Sequence, residues 1–224
     1  MRMTYYPFKP FEINEGKLTV IETNNHEFYQ TLILNFKDLQ DDVHFSDDEF
    51  KLVETSKAIH WFGDAFIQND LDKLFTNRLY KHFKEVVTPE QQQQIFELSQ
   101  QLKLAVLCAS YSLDLPLQIE EQTELEKVFK FCDLRFIPTV VNRPYDIIET
   151  LLKTSVELNE SRILGLMNVS DYLTRDEFSE LNRLIQMLNI KIILIKFSEI
   201  NRYKMFEGCR YYYVDNDYVE WHYE

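Results

Sequence analysis

Apolar residues between positions 162 and 197 form two short continuous runs separated by a helical repeat. Arg162–Val169 and Ile190–Ile195 are mainly apolar and of strand length, which is typical of strands in a parallel sheet. Between them, Thr174 followed by Glu177 is a capping box, which predicts the start of a helix. One face of that helix is apolar, with Phe178, Leu181, Leu184, Ile185 and Leu188. Two such strands joined by an amphipathic helix predict a βαβ unit in a parallel sheet.

The first sixty residues show a weaker pattern of the same kind. A strand is predicted at Leu18–Glu22, followed by a turn at Thr23–Asn25 and a helix at His26–Leu39. Asp38–Glu49 is rich in acidic residues and is predicted to be a loop, whereas Lys51–Phe62 is predicted to hold another strand. The start of the chain therefore resembles its end in alternating strand and helix.

The middle of the chain is helical. Asp70–Val87 has apolar residues at helical spacing along one side. Thr88 before Pro89 combines a cap with proline at the first helical position, which predicts a long helix to about Ser112. A third helix is predicted at Glu120–Phe131. These three helices form one contiguous helical block.

The sheet pattern resumes after this block. A strand is predicted at Leu134–Val141, a helix from residue 142 to about 159, and a terminal hairpin from Tyr211–Val214 and Tyr218–Trp221. We therefore predict an α/β fold in which residues 1–66 and 134–224 form a head domain with a parallel sheet, and residues 67–133 an inserted α-helical domain.

Composition narrows the class of protein. The 224 residues are 45% hydrophobic, enough for a sizeable core, but no apolar run approaches the length of a membrane span, and no signal peptide is visible. The three cysteines are scattered and have no metal-ligand spacing, which fits a reducing cytoplasm. The net charge of −13 argues against nucleic-acid binding, although local patches decide such binding more than the total charge does.

Glycine is too scarce for a phosphate-binding loop. Only four occur, and neither G-x-x-x-x-G-K-[ST] nor G-x-G-x-x-G is present. In the turn after the first strand, Thr23 and Asn24 are predicted to cap the following helix, and no lysine follows them. The head is therefore predicted to resemble a nucleotide-binding fold that has lost its phosphate site.

Basic residues gather on the Asp70–Val87 helix. At 3.6 residues per turn, Lys73, Lys81 and Lys84 share one face opposite the apolar side, with Arg78 at its flank. Such a face is either simply solvated or a surface that contacts phosphates. A second basic group is formed by Arg202, Lys204 and Arg210.

Acidic residues gather between positions 114 and 126 without a basic residue among them. The group comprises Asp114, Glu120, Glu121, Glu124 and Glu126. Carboxylates that repel one another would be relieved by a hard cation, and Ca2+ suits this flexible set better than Mg2+. The alternative is that the glutamates favour the first turn of a helix through its dipole. The acidic loop Asp41–Glu49 is the next candidate for Ca2+.

Catalytic patterns are scarce. H-E-x-x-H and G-x-S-x-G are both absent. Asp171 and Asp176 could form the carboxylate pair of a metal-dependent nuclease, although capping of the helix also explains Asp176. Tyr211–Tyr213 could stack on bases, or form an edge strand. The sequence favours a protein that is not an enzyme.

Three segments carry a resemblance to a known family. They are NVSDYLTRDE within the βαβ unit, EGKLTVIETNNHEFYQTL at the first strand and helix, and SYSLDLPLQIEEQTELEKVF in the helical block. In order and spacing, these resemble the short form of the Csn2 family, accessory proteins of adaptation in type II-A CRISPR systems. The resemblance covers nearly all of the chain.

This resemblance implies a function. Csn2 proteins have a degenerate P-loop head, bind Ca2+ near the helical domain, and form a homotetrameric ring lined by lysines and arginines around linear double-stranded DNA. The expected nucleic-acid-binding residues are thus Lys73, Arg78, Lys81 and Lys84, and the expected metal ligands are Asp114, Glu120, Glu121 and Glu124.

The same resemblance implies a non-catalytic, cytoplasmic role in spacer acquisition, beside the adaptation integrase and the effector nuclease, with no contact to a membrane. Without the resemblance, the alternatives are a cytoplasmic protein-interaction adaptor on a degenerate nucleotide-binding fold and a metal-dependent nuclease.

Overall fold

The structure is a computed structural model that describes residues 1–67, 70–120, 122–137 and 143–223. Its strands are β1 Arg2–Tyr5, β2 Phe11–Glu12, β3 Leu18–Thr23, β4 Val43–Ser46, β5 Leu52–Val53, β6 Ile59–Asp64, β7 Ile163–Met167, β8 Ile192–Phe197, β9 Arg210–Val214 and β10 Glu220–Tyr223. Its α-helices are α1 His26–Phe36, α2 Thr55–Ala58, α3 Leu71–Val86, α4 Pro89–Ser110, α5 Leu125–Phe131, α6 Pro144–Glu157, α7 Val169–Tyr172 and α8 Arg175–Leu188, with a 3-10 helix at Tyr203–Met205.

Six strands form the main sheet, in the order β10-β9-β3-β8-β7-β6. All neighbouring pairs are parallel except β10 with β9. The central strand β3 is buried along its whole length because it has a strand on each side and packing on both faces. The predicted α/β fold with a parallel sheet is confirmed.

Both faces of the main sheet are covered. On one face, Ile21, Ile193 and Ile195 pack with α1 and with a small antiparallel sheet of order β2-β1-β4-β5. On the other face, apolar side chains of α6 and α8 meet residues of β3, β7 and β8, including Leu166 and Leu194. Successive strand residues point to opposite faces, so a strand buried on both sides must be apolar almost throughout.

Two compact units are distinguished by their internal contacts. One comprises Met1–Asn69 and Thr139–Glu224, and the other Asp70–Pro138. The second unit contains α3, α4 and α5 around a small core of Tyr80, Val87 and Phe129. None of the residues of α4 is buried.

The βαβ prediction is confirmed in detail. Helix α8 begins after Thr174, whose hydroxyl accepts from the Glu177 amide at 3.3 Å while the Glu177 carboxylate accepts from the Thr174 amide at 2.9 Å. The predicted apolar face is the one that packs on the sheet, since Phe178, Leu181, Leu184 and Ile185 are buried.

Several predicted boundaries were wrong. The helix predicted at Glu120–Phe131 begins only at Leu125, because the apolar residues that pack against α3 start there. Residues 134–137 of the predicted strand Leu134–Val141 form no strand: the carbonyl of Leu134 accepts from the Tyr80 hydroxyl, 3.2 Å away. Residues 138–142 lie outside the described residues.

The N-terminal predictions also needed correction. The predicted acidic loop Asp38–Glu49 contains β4, and Lys51–Phe62 divides into β5, α2 and the start of β6. The helix predicted to end at Leu39 ends at Phe36, and Asp38 has a left-handed backbone conformation, with φ of 58°. The small sheet was missed because its strands have only two to four residues.

Candidate nucleic-acid interface

The basic face of α3 is exposed because the opposite face is packed. Phe75 and Tyr80 are buried on the apolar side of the helix. Asp70 caps its N-terminus by accepting from the Lys73 amide at 3.3 Å. The Lys73 side chain is 84% exposed, and its ion pair with Asp70 is long, 3.5 Å. An exposed pair of this kind holds a lysine weakly, so the ammonium group is available to another anion.

Lys81 and Lys84 are also exposed, whereas Arg78 is half-buried. From Lys73 to Lys84 the helix rises by roughly 16 Å, at about 1.5 Å per residue. Three ammonium groups on an exposed face of that length can contact several phosphates of one backbone. Nothing in such an arrangement can distinguish base sequences, because phosphates are the same at every position.

The acidic segment is organised by a lysine that lies just beyond it. Lys127 Nζ is 3.0 Å from Glu120 Oε2 and 3.2 Å from Glu124 Oε1. The hydrogen bond to Glu120 and the one to Glu124 raise the pKa of Lys127. The predicted helix Glu120–Phe131 would have placed Glu120 and Glu124 on one face, which is wrong because Glu120 precedes the helix and Glu124 is its N-cap residue. An ammonium group thus compensates two of the predicted metal ligands.

The other two predicted ligands do not complete this pair. Asp114 is exposed in a bend, and Glu121 lies outside the described residues. Within the described part of the chain, no three His, Cys, Asp or Glu side chains are grouped as metal ligands. Ca2+ takes six to eight oxygen ligands. The described residues alone therefore do not form a calcium site, and calcium binding stays a prediction.

Lys84 and Glu124 line the same groove. Its volume is about 630 Å³, and its walls come from the end of α3, the start of α4 and the residues around the start of α5. Glu126 lies on the same wall as Glu124. The predicted basic and acidic sites of the helical unit are therefore neighbours.

In the turn after β3, side chains of the turn accept from backbone amides that could otherwise bind a phosphate. Asn25, not Thr23 or Asn24 as predicted, is the N-cap of α1, and its side chain accepts from the Phe28 amide at 2.9 Å. The Thr23 hydroxyl accepts from the Asn25 amide at 2.9 Å. Protein side chains thus use the donors that a phosphate-binding helix N-terminus would present.

Polar residues that the sequence analysis did not single out lie along the carboxyl edge of the main sheet. Lys196 in β8 is buried and pairs with Asp171. Asp64, at the end of β6, accepts from the Tyr172 hydroxyl at 2.7 Å and from the Asn168 side chain at 3.2 Å. The hydrogen bonds and ion pair along this edge satisfy both carboxylates.

Those carboxylates also act on a neighbouring tyrosine. Burial, followed by the charges of Asp171 and Asp64, raises the pKa of Tyr29 to about 12.

Asp176 is exposed in the first turn of α8. Asp171 is thus held by Lys196, whereas Asp176 lies on the helix surface.

Glu22 is the most deeply buried carboxylate of this region. It has no exposed surface, and it accepts from the Tyr211 hydroxyl and, at 2.9 Å, from the Arg202 amide. Burial raises the pKa of Glu22. Burial and the hydrogen bond between Tyr211 and Glu22 raise the pKa of Tyr211.

Tyr211–Tyr213 belongs to β9, which lies between β3 and β10, so the predicted position in an edge strand was wrong.

The second basic group is partly structural. Arg210 forms an ion pair of 3.0 Å with Glu12 and is 9% exposed, whereas Arg202 and Lys204 are exposed.

Among the described residues, no helix is both long and apolar enough to cross a bilayer.

Two solved structures align with this chain, and the first of them has a similar fold. The crystal structure of Stu0660 of Streptococcus thermophilus aligns with a TM-score of 0.64, at 14% identity, over 100% of this chain and 76% of that chain. The ADP conformation of MJ1267, an ATP-binding cassette of an ABC transporter, aligns with a TM-score of 0.46, at 13% identity, over 100% of this chain and 91% of that chain. At 14% identity the first likeness shows the fold alone. No curated protein matches the chain.

A family model, described as CRISPR-associated protein (Cas_Csn2), matches residues 68–218. This span is more than half of the chain and includes α3, the acidic segment and the βαβ unit. Two of the three segments that carried the resemblance lie within it. The chain therefore belongs to the Csn2 family of CRISPR-associated proteins.

Proposed function

We propose that this chain is a non-catalytic protein of CRISPR spacer acquisition that binds linear double-stranded DNA without sequence preference. Membership of the family supports a role associated with CRISPR adaptation. The observation that carries DNA binding is the exposed face of α3 with Lys73, Lys81 and Lys84. Their ammonium groups would contact phosphates, which hold DNA whatever its sequence.

A homotetrameric ring would reconcile DNA binding with the net charge of −13. Several copies would bring their basic faces together, so that the local potential at the DNA is positive although each subunit is acidic. An exposed apolar surface in the helical unit supports assembly. A groove of about 410 Å³ is lined largely by apolar side chains, among them Leu98, Leu102 and Phe131, which are 57%, 45% and 73% exposed. We propose a second copy of the chain as its occupant.

Calcium dependence is part of this proposal and rests on the family resemblance. Asp114, Glu120, Glu121 and Glu124 would supply oxygens, and the Lys127 ammonium would have to leave the two carboxylates it holds. The adaptation integrase and the effector nuclease are the proposed protein partners.

A protein-interaction adaptor is the second candidate function, and the apolar groove favours it, because such surfaces on soluble proteins mark interaction sites. A nuclease finds less support. Asp171 is engaged by Lys196, and the described residues group no three metal-ligating side chains.

The test of DNA binding is charge reversal on α3. The triple variant Lys73→Glu, Lys81→Glu, Lys84→Glu should bind linear duplex at least about a hundredfold more weakly, since each phosphate contact contributes to affinity through counterion release. The dependence of log K on log salt should also become shallower by roughly one unit per lost contact. Fluorescence anisotropy over a salt series, with and without Ca2+, measures both quantities.

A matched triple variant separates the local effect from the total charge. Lys9→Glu, Lys37→Glu and Lys51→Glu alter three exposed lysines of the other unit and change the net charge by the same amount. This control should keep most of the affinity. Equal losses in both variants would show that α3 is not the interface. Cleaved DNA in the presence of Mg2+ would favour the nuclease instead.

A further inference from the structure

A groove lined by aromatic rings lies at the β9–β10 end of the main sheet. Its volume is about 510 Å³, and its lining includes Tyr203 of the 3-10 helix, Phe206, Tyr211 of β9 and Tyr223 of β10. Tyr203 and Tyr223 stack with ring centroids 4.9 Å apart and an interplanar angle of 11°. Phe206 and Tyr211 stack at 5.5 Å and 18°. Two nearly parallel ring pairs thus form the walls of one groove.

Buried contacts fix these walls. Phe206 and Tyr211 are each only 1% exposed. Glu22 accepts from the Tyr211 hydroxyl and from the backbone amide of Arg202, the residue before Tyr203. A single buried carboxylate therefore anchors both the inner wall of the groove and the start of the 3-10 helix. Glu22 Oε1 has no hydrogen-bond partner among the described residues, so the burial of this oxygen is not compensated there.

The outer ring pair is accessible to a ligand. Tyr203 and Tyr223 remain 44% and 37% exposed although they stack on each other. A planar group can therefore extend the stack from the solvent side. Two cations lie at the same groove, Lys204 and Arg175; the ion pair of Arg175 with Glu207 is long, 3.8 Å. Stacking surfaces beside cations are the features with which proteins hold single-stranded nucleic acid.

We propose that this groove binds an unpaired nucleobase at the end of a DNA strand, with Tyr203 as the stacking residue and Lys204 and Arg175 beside the adjoining phosphate. The inference rests on the proposed DNA-binding function and adds a contact to bases that the α3 face does not provide. Phosphate contacts on α3 would hold the duplex, whereas the aromatic groove would favour DNA whose end carries a single-stranded overhang.

The experiment compares a blunt duplex with the same duplex carrying a short overhang that contains 2-aminopurine. The wild-type protein should bind the overhang duplex at least about fivefold more tightly and quench the 2-aminopurine fluorescence, as one base–aromatic stack provides. Tyr203→Ala should remove both effects and leave binding of the blunt duplex unchanged. Tyr203→Phe keeps the ring and should keep both effects. Tyr6→Ala removes a 91% exposed ring outside the groove and should change neither.

Each outcome decides between the two proposals. Equal affinity of the wild-type protein for both duplexes, or quenching that survives Tyr203→Ala, would overturn the base site and leave duplex binding intact. Failure to bind either duplex would overturn the proposed function. In that case a single-stranded oligonucleotide with 2-aminopurine still tests the groove: quenching that depends on Tyr203 supports it, and its absence refutes it. Thermal unfolding of each variant checks that the fold is preserved.

Discussion

At the scale of single residues, Glu160 shows how the chain stabilises a buried charge. Its side chain has no exposed surface. It lies 2.9 Å from His60 Nδ1 and 2.7 Å from Arg162 Nη2. Burial alone would raise the pKa of Glu160, but the hydrogen bonds from His60 and Arg162 outweigh burial and lower it. The ionised carboxylate thus joins β6 to the start of β7, and its charge is compensated.

Glu160→Gln is expected to lower the free energy of unfolding by about 3 kcal/mol at neutral pH, because it leaves buried donors without their charged partner. A lowered folded-state pKa gives stability that is fully present above the unfolded value near 4.5 and is lost as the pH falls through the folded value. The difference between wild type and variant should therefore shrink in acid. Urea unfolding over a pH series measures it.

Glu149→Gln serves as the control, since Glu149 pairs with Lys153 at 2.8 Å on the surface, where Lys153 is 58% exposed. A pair of this kind contributes at most about 1 kcal/mol. If Glu160→Gln were no more destabilising than Glu149→Gln at neutral pH, the proposed role of the buried carboxylate would be wrong.

At the scale of elements, α8 is the clearest case in which local sequence sets local structure. The capping box fixes where the helix begins, and its apolar face determines how the helix packs. Helix α5 shows the limit of such reasoning: the glutamates before Leu125 suggested an earlier start, yet the helix begins where apolar residues meet α3. Helix starts with a cap are thus predictable from few residues, whereas starts set by packing are not.

Thr174→Ala should lower the free energy of unfolding of the α/β unit by about 1 kcal/mol, because the amide at the third helical position loses its acceptor. The effect should reach global stability since α8 is anchored in the core by four buried side chains. Thr174→Ser retains the hydroxyl and should be close to wild type. Chemical unfolding followed by circular dichroism measures both variants, and equal destabilisation by alanine and serine would contradict the capping role.

At the scale of the whole molecule, the main feature is the exposed apolar face of the helical unit. Helix α4 has 22 residues and none is buried, yet it carries exposed leucines, including Leu98, Leu102 and Leu104. A long helix in water is stabilised mainly by packing of an apolar face. The exposed apolar face therefore supports the proposed assembly with further copies of the chain.

We expect light scattering after size exclusion to give about four times 27.0 kDa in Ca2+. Leu98→Ser with Leu102→Ser should shift the protein toward smaller species, since polar side chains in the interface would be buried without partners. Leu39→Ser with Leu52→Ser changes leucines of similar exposure outside the helical unit and should leave the mass unchanged. A monomer under every condition, with or without a chelator, would contradict the ring.

The sequence by itself determined the parallel βαβ unit, the capped starts of α4 and α8, and the absence of a standard P-loop, because these depend on residues close together in the chain. It also indicated the Csn2 family. Only the tertiary structure revealed the second sheet, the Lys127 bridge across the acidic segment, and the aromatic groove held by Glu22 and Tyr211. Glu22 and Tyr211 are 189 residues apart. Periodicity along the chain carries no information about such pairings, since strand order and packing bring them together only when the sheet has formed.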